Sequence, residues 1–224
     1  MVNLFPHRSP SNLNEAAEMI LLTLARAEEN QRAITIDEFA RELDFAPAPH
    51  LQSLISKSLI DVASDTITLT DAGRAHALGL LRRHRLVERH FTDVLGLDWA
   101  QAHEQADQLE HIVSPQVEQT IADQLGNPAT CPHGNPIPQA RENSARTAET
   151  SLADSSPSTR AMITRIGLET PEALRHLATL GLLPNTEIKI EHQAPFDGPV
   201  MVCVGRAHYA LGRDLAARIW IKTL

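Results

Sequence analysis

The sequence predicts a mainly α-helical chain with a small β region at its C-terminal end, and three observations predict this fold class. Segments of helix-forming residues with apolar positions at helical spacing fill most of the chain up to residue 126. Residues 140–160 are rich in Ser, Thr and Ala and lack apolar periodicity. After it come short runs that alternate β-branched and polar residues, as strands do. We therefore expect domains at 1–72, 73–140 and 161–224, with a flexible linker at 141–160.

The first predicted domain has the element order of a winged helix-turn-helix module. Its helices are predicted at 14–30, 35–44 and 50–60. Thr35 is placed to cap the second helix, and Glu38, three residues later, completes a capping box. The segment around Ser64 and Asp65 then alternates β-branched and polar residues, which predicts a short hairpin. Such a hairpin after a helix-turn-helix forms the wing of the module.

The second predicted domain is helical and ends in a loop rich in Pro and Gly. Its helices are predicted at 71–96, 97–113 and 114–126. Ser114 is the expected N-cap of the last helix, and Pro115 takes its first helical position. The loop has the sequence NPATCPHGNPIPQ. Cys131 and His133 in this loop have the spacing of metal ligands, but two such residues in a loop are more often structural.

The C-terminal domain combines one short helix with several short strands. The helix lies in TPEALRHLATLG, with Thr170 as N-cap, Pro171 at its first position and Gly181 after its end. Strand-like runs follow in TEIKIEHQ, PVMVCVG, AHYAL and RIWIKTL. This composition predicts a small β-barrel. Cys203 alternates with two valines and is interpreted as a core residue, whereas His208 is interpreted as a surface residue.

Charge and cysteine content limit the function classes. The net charge is −8, and residues 1–71 hold five basic and eleven acidic residues, a net of −6. Phosphates repel a surface of this sign, which opposes non-specific binding of nucleic acid. We expect no membrane span, because no apolar run reaches 18 residues, and the N-terminus lacks the pattern of a signal peptide. The two cysteines form no disulfide framework, so a cytoplasmic location is expected.

Side chains that bind metals recur at helical spacing in two places. One predicted helix holds four of them at i, i+4, i+7 and i+8, which is a single stripe: His103, Asp107, Glu110 and His111. In the preceding helix, His84 and Glu88 stand at i and i+4. A lone pair of this kind is usually solvated at the surface, but two such helices in tandem favour a metal site. Imidazole with carboxylate oxygen suits Fe²⁺, Mn²⁺, Co²⁺, Ni²⁺ or Zn²⁺.

These residues carry a resemblance to a known family. The stretch ITLTDAGRAHALGLLRRHRLVERHFTDVLGLDWAQAHEQADQLEHIVS, followed by CPHGNPIP, resembles the diphtheria-toxin-repressor family of metal-dependent transcriptional regulators. The resemblance runs from about residue 14 to 140, and 160–224 is similar to the SH3-like, FeoA-type domain of many members. It implies a winged-helix DNA-binding domain, a helical metal-binding and dimerisation domain, and a C-terminal SH3-like β-barrel.

The resemblance also implies two metal sites in each subunit. The primary, activating site would use Met19, Asp107, Glu110 and His111. The ancillary site would use His84, Glu88, His103, Glu169 and Glu172. Iron-responsive members typically carry Met at position 19 and Cys at position 107, whereas manganese-responsive members carry carboxylates. The combination of Met19 with Asp107 is a hybrid, and we expect Fe²⁺, with Mn²⁺ as the alternative.

The function that the resemblance implies is repression of metal-homeostasis genes by a metal-loaded homodimer on palindromic double-stranded operator DNA. The second helix of the helix-turn-helix would read the operator, with the candidate contacts Pro47, Pro49, His50, Gln52, Ser53 and Lys57. This helix holds a single lysine, within an acidic domain. An alternative is therefore a metal-binding regulator that has lost DNA recognition and acts through a protein partner. We do not expect an enzyme, because no substrate pocket or separate general base is indicated.

Overall fold

The computed structural model describes residues 13–43, 45–139 and 149–224. These residues form two compact units, which we describe separately. The first unit contains the described residues up to Arg83 together with Glu110–Ile112, and the second contains His84–Leu109 and the described residues from Val113 to Leu224. No helix within these ranges is both long and apolar enough to cross a membrane.

The first unit contains the predicted winged helix-turn-helix. Its elements are α1 (Leu13–Glu29), β1 (Ile34–Thr35), α2 (Ile36–Glu42), α3 (Ala48–Ser56), β2 (Ile60–Ala63) and β3 (Thr66–Leu69). The strands pair antiparallel in the order β1-β3-β2. Apolar side chains of the three helices and the sheet share one core, in which Ile20, Phe39, Leu54 and Ile67 are buried. The winged-helix prediction is confirmed.

Helix α3, the predicted recognition helix, differs from its predicted range of 50–60. It begins earlier, after Pro47, and ends at Ser56. It ends there because Ser58 has a positive φ of 55°, and the amide of Leu59 bonds back to a carbonyl of the last helical turn. Lys57 therefore caps the C-terminal end of α3 and is exposed, instead of lying inside the helix.

Three further helices follow: α4 (Asp71–Asp93), α5 (Trp99–Leu109) and α6 (Pro115–Gln124). The prediction that α5 continues to residue 113 is wrong, because Glu110 and His111 lie in a turn after its end. Arg83 donates a hydrogen bond of 2.7 Å to the carbonyl of Glu110, one of the groups that a helix end leaves without a helical partner. The predicted stripe is therefore divided: two of its residues lie on the helix and two lie beyond it.

The C-terminal part of the second unit is an antiparallel sheet with the order β4-β9-β5-β6-β7-β8, which confirms the small β domain. Its elements are β4 (Thr150–Ser151), a 3-10 turn (Leu152–Asp154), β5 (Arg160–Ile166), α7 (Pro171–Leu180), β6 (Glu187–Gln193), β7 (Val200–Val204), β8 (Ala207–Leu211), α8 (Arg213–Ala216) and β9 (Ile219–Thr223). The expected linker differs in its second half: residues 149–160 are ordered because Leu152 and Ala153 are buried in the core of the sheet. The stretch 140–148 lies outside the described residues.

Several predicted helix ends are confirmed by their hydrogen bonds. Thr35 and Glu38 form the capping box at the start of α2. Ser114 and Thr170 each accept the amide three residues later, at the starts of α6 and α7, and each is followed by proline. Gly181 ends α7 with a φ of 72°, a conformation that glycine adopts without a side-chain penalty.

The start of α5 shares an apolar core with the sheet of the second unit. Trp99 and Ala100, at the start of α5, belong to the same buried cluster as Leu174 and Leu177 of α7 and the inward residues of the sheet. An ion pair between Arg175 of α7 and Glu104 of α5 borders this contact. The two regions that the sequence separates into domains are thus packed together within this unit.

The loop at 130–137 contacts the sheet through its backbone. The carbonyl of His133 accepts the amide of Ile166, and the side-chain amide of Asn135 donates to the carbonyl of Ile166 at 2.7 Å. Gly134, between them, has a φ of 84°, and a Cβ placed there would lie 2.1 Å from the carbonyl oxygen of Thr164. Only glycine allows the loop to approach β5 this closely.

We expect Gly134→Ala to destabilise the protein more than Gly126→Ala. Both glycines have positive φ, but nothing lies within 4 Å of a Cβ at Gly126. Gly126→Ala should cost about 1 kcal/mol of unfolding free energy, from backbone conformation alone. Gly134→Ala should cost about 3 kcal/mol, because the added methyl group also overlaps β5. Urea denaturation of both variants measures the difference, and equal costs would show that the loop does not need close contact with the sheet.

Candidate metal centre

The second unit contains a buried cluster of ionisable side chains around the carboxylate of Glu88. His84 and Glu88 share one face of α4, and His103 projects from α5; all three are buried. The Oε1 atom of Glu88 lies 2.8 Å from Nε2 of His84 and 2.6 Å from Nδ1 of His103. The two ring nitrogens are 3.2 Å apart. His84 and Glu88 are therefore not a solvated surface pair.

The Pro- and Gly-rich loop adds two more ligand-type side chains to the cluster. His133 is fully buried, and its Nδ1 atom lies 3.4 Å from Oε1 of Glu88 and 3.8 Å from the sulfur of Cys131. Glu88, Cys131 and His133 offer donor atoms within 4.8 Å of one another. Glu169 lies at the edge of this group, with Oε1 3.8 Å from the same nitrogen.

A hydrogen bond selects which nitrogen of His133 is available to an ion. Its Nε2 atom lies 3.3 Å from the carbonyl oxygen of Trp99, which can only accept, so Nε2 carries a proton. In the neutral ring, Nδ1 then presents a lone pair toward Glu88 and Cys131. Metal-binding histidines are commonly oriented by a partner on the other ring nitrogen. The Trp99 carbonyl supplies that orientation.

Burial and charge act against each other in this cluster. Burial alone would raise the pKa of Glu88, but the positive charges of His84 and His133 and the hydrogen bond from His103 hold it well below its usual range. Burial alone would lower the pKa of His133, whereas the Glu88 carboxylate raises it well above the usual value. Burial, together with the charge of Glu88, raises the pKa of the Cys131 thiol. The charges of His84 and His133 therefore oppose the cost of burying the carboxylate of Glu88.

The donor atoms of this cluster fit a divalent ion. The Oε2 atom of Glu88 is buried and has no hydrogen-bond partner among the described residues, which is costly unless another group satisfies it. The 3.2 Å between the nitrogens of His84 and His103 matches the separation of about 3.0–3.4 Å between neighbouring ligands that each lie about 2.1 Å from one ion. Imidazole, carboxylate and thiol together suit a borderline divalent metal.

The remaining predicted residues of the two sites fall in different places. Asp107, assigned to the primary site, lies 3.3 Å from Nδ1 of His84 and 3.5 Å from Nε2 of His103. Glu169 is buried and accepts a hydrogen bond of 2.5 Å from Asn135. Glu172 is exposed in the first turn of α7. The structure therefore brings Asp107 and Glu169 toward the cluster of His84, Glu88 and His103, and it leaves Glu172 at the surface.

A second, smaller group lies in the first unit around His111. Its Nδ1 atom is 2.5 Å from the carboxylate of Glu18 on α1, and its Nε2 atom is 3.3 Å from the carboxylate of Glu110. Burial lowers the pKa of His111, but the hydrogen bond to Glu18 and the charge of Glu110 raise it above the usual value. Met19, the predicted ligand from α1, is half-buried next to Glu18.

The candidate DNA contacts lie on or next to α3 and differ in exposure. Pro49, Gln52 and Lys57 are exposed, His50 and Ser53 are half-buried, and Pro47 is buried. The ring of His50 packs edge-on against Phe45 at 5.6 Å between ring centres. Within this set, Lys57 is the one fixed positive charge.

Sequence reasoning missed four residues of the two groups. Glu18 was passed over for its neighbour Met19, although a carboxylate is the more usual partner of an imidazole. Cys131 and His133 were interpreted as structural because their spacing was considered without the buried carboxylate of Glu88. Asn135, which holds Glu169, carries no metal signal in the sequence. The sequence does not show that the CPHGN loop packs next to α4 and α5, and only the fold reveals this.

We expect Glu88→Gln to abolish high-affinity binding of metal in the second unit. Glu88 is shared by the group with His84 and His103 and by the group with Cys131 and His133, so its loss affects both. Titration with Co²⁺ should show a loss of affinity of at least about 100-fold, more than is usual for losing an outer partner of a ligand. Asp123→Asn, which removes an exposed carboxylate of α6 that belongs to neither group, is the matched control. Equal affinity in a folded Glu88→Gln variant would remove Glu88 from the metal site.

Comparison with known proteins identifies two domains in the chain. Residues 70–139 match the family model of the metal-binding and dimerisation domain of iron-dependent repressors, and residues 150–223 match the model of the FeoA domain. The iron-dependent repressor IdeR of Mycobacterium tuberculosis is 29% identical over 229 residues, covering 95% of this chain and 99% of the relative. The diphtheria toxin repressor of Corynebacterium jeikeium is 35% identical over 132 residues, covering 57% of this chain and 55% of the relative.

Among solved structures, a manganese-dependent transcriptional repressor in complex with manganese superposes with a TM-score of 0.84 at 29% identity, covering 93% of this chain and all of that one. Together the two family models match well over half of the chain. The chain therefore contains the metal-binding and dimerisation domain of iron-dependent repressors followed by a FeoA domain, and over nearly its whole length it is similar to an iron-dependent and a manganese-dependent repressor.

Proposed function

We propose that this protein is a metal-activated transcriptional repressor that binds operator DNA as a homodimer. The observation that carries the proposal is the buried cluster of imidazoles around Glu88 in a chain that begins with a winged helix-turn-helix. Its relatives include iron-dependent and manganese-dependent repressors. We further propose that it acts in the cytoplasm, where a reducing environment keeps Cys131 and Cys203 as thiols.

The activating ion is proposed to bind at His111. The Nδ1–H group of this ring donates a hydrogen bond to the carboxylate of Glu18. This bond orients the ring so that Nε2 and its lone pair face the carboxylate of Glu110. The further donors that the family resemblance implies are Met19 and Asp107. A bound ion supplies a strong positive charge that replaces a proton on His111. Because Glu18 lies on α1 and His111 follows α5, such an ion joins the winged-helix core to the 110–112 segment.

The ancillary ion is proposed to bind at Glu88 with His84, His103 and His133. Cys131 and Glu169 extend this donor set, and Glu172 reaches it only if its exposed side chain turns inward. This site lies within the second unit, where it joins α4, α5 and the 130–137 loop. Its role is to stabilise that unit, since a ligand that binds only the folded state adds to stability.

For the physiological metal we propose Fe²⁺, with Mn²⁺ as the alternative. The thioether of Met19 is a soft donor, which favours iron. The carboxylates of Glu18 and Glu110 beside His111 suit either ion. The relatives include repressors that respond to each metal.

DNA recognition is proposed for α3, with Pro49, Gln52 and Lys57 as its exposed contacts. A homodimer places two such helices on the two halves of a palindromic site. The net charge of −6 in residues 1–71 is the reason to retain a second candidate, in which the metal-bound protein acts through a protein partner. The two candidates differ in whether metal produces sequence-specific binding to DNA.

We expect His111→Ala to abolish metal-activated DNA binding while the fold is retained. The substitution removes the central imidazole of the activating site and leaves the Glu88 cluster intact. Fluorescence anisotropy on DNA from the protein's own promoter region, with saturating Fe²⁺ or Mn²⁺ under anaerobic conditions, measures the effect. His76→Ala, an exposed histidine of α4, is the control. Full metal activation in His111→Ala would show that the activating ion binds elsewhere.

Lys57→Ala is expected to weaken operator binding and to reduce its dependence on salt. Each phosphate contact that is lost should lower the slope of log affinity against log salt by about 0.9. The overall slope should be shallow, because α3 offers a single fixed positive charge. Lys222→Ala, on the exposed end of β9, should leave both quantities unchanged.

The same salt series distinguishes the two candidate functions. A repressor binds promoter DNA at low salt only when metal is present. Failure of the metal-loaded protein to bind any fragment upstream of its own or neighbouring genes would favour the protein-partner candidate.

A further inference from the structure

The outer face of the C-terminal sheet carries three ligand-type side chains on adjacent strands. Cys203 of β7 lies opposite Lys189 of β6 on one side and opposite His208 of β8 on the other. The prediction that Cys203 belongs to the core is wrong, because Val202 points inward and Cys203, one residue later, points to the opposite face. Its thiol is partly exposed and donates to the carbonyl of Gly205.

A bulge in β6 adds a carboxylate to this face. The register between β6 and β7 shifts between Ile190 and His192, so Glu191 is the extra residue. Bulges redirect side chains and are frequent next to functional sites. The Oε2 atom of Glu191 lies 3.0 Å from Nδ1 of His208, and this hydrogen bond holds the pKa of Glu191 below its usual value.

The three donors already lie close to ligand spacing. One atom each of Glu191, Cys203 and His208 falls within 4.8 Å of the other two. Ligands of one Zn²⁺ ion are about 3.3–3.6 Å apart, from bond lengths of about 2.0–2.3 Å in a tetrahedron. The carboxylate and imidazole are near this separation at 3.0 Å, and the thiol, which donates to the carbonyl of Gly205, lies within 4.8 Å of both. The three residues lie on three strands, and the register of these strands brings them together.

We propose that Glu191, Cys203 and His208 form a solvent-accessible metal site on the C-terminal sheet that takes a thiol-binding divalent ion such as Zn²⁺. Three protein donors leave a fourth position for water, as in open zinc sites. The thiolate favours Zn²⁺ over Mn²⁺, whose preferred ligands are oxygens. All three donors come from β6, β7 and β8, so this site is separate from the cluster around Glu88 and from the group around His111.

Co²⁺ reports thiolate ligation directly, because a cobalt–thiolate bond gives an intense charge-transfer absorption. The chain has two cysteines, so Cys131→Ser leaves Cys203 as its single thiol. We expect full-length Cys131→Ser to retain a cobalt–thiolate absorption. Zn²⁺ should displace Co²⁺ and remove this absorption. The double variant Cys131→Ser/Cys203→Ser should lack it, with an unchanged circular dichroism spectrum.

Variants of the other two donors decide whether the ion is held by a site or by a thiol alone. In the Cys131→Ser background, His208→Gln and Glu191→Gln should each lower the affinity for Zn²⁺ by at least about tenfold. Lys189→Gln, which changes a neighbouring charge but no donor, should leave the affinity the same or raise it. The proposal is overturned if Cys131→Ser shows no cobalt–thiolate absorption. It is equally overturned if that absorption and the Zn²⁺ affinity are insensitive to His208→Gln and Glu191→Gln.

Discussion

The buried carboxylate of Glu88 is the group on which the second unit depends. An ionised carboxylate without compensation is too costly to bury, and here imidazoles from three chain segments surround it. Each segment reaches Glu88 by a different route: α4 carries it, α5 brings His103, and the 130–137 loop brings His133. Neutralising the charge of Glu88 therefore brings together side chains that lie up to 45 residues from it in sequence. The Oε2 atom of Glu88 is buried and has no hydrogen-bond partner among the described residues, and a bound ion is one group that would satisfy it.

The loop that completes this cluster also makes the contact between the helices and the sheet. Arg85, buried on α4, donates to the carbonyl of Pro136 at 2.5 Å, while Asn135 joins the loop to β5 and to Glu169. If an ion binds at Glu88 as proposed, it adds to a region of the second unit in which the loop, α4 and β5 are already joined by these hydrogen bonds.

Local sequence signals predicted the elements well and their long-range consequences poorly. The caps at Thr35, Ser114 and Thr170 were correct because a cap depends on residues within one turn of the helix. The end of α5 was missed because it is determined by Arg83, which is distant in sequence and binds the carbonyl of Glu110. The bulge at Glu191 was missed for a similar reason, since register depends on the partner strand. The metal-binding helices were recognised, but the donors contributed by the loop depend on tertiary packing.

The end of α5 divides the ligand-type residues 103–111 between the two units. Because the helix ends at Leu109, His103 and Asp107 belong to the second unit, and Glu110 and His111 belong to the first. Within the first unit, α1 contributes core side chains such as Ile20, whereas the 110–112 segment makes polar bonds, those with Arg83 and Glu18 among them.

An ion present at 100 times its dissociation constant adds about 2.7 kcal/mol to the state that binds it. Provided that other arrangements bind the ion weakly, this energy raises the population of the arrangement that joins α1 to the 110–112 segment by about 100-fold relative to the others. A single hydrogen bond contributes about 1 kcal/mol, so this energy is large beside any one of the bonds of the 110–112 segment. In the proposed function, an ion at His111 therefore acts on the first unit through this segment and its bond to Glu18 of α1.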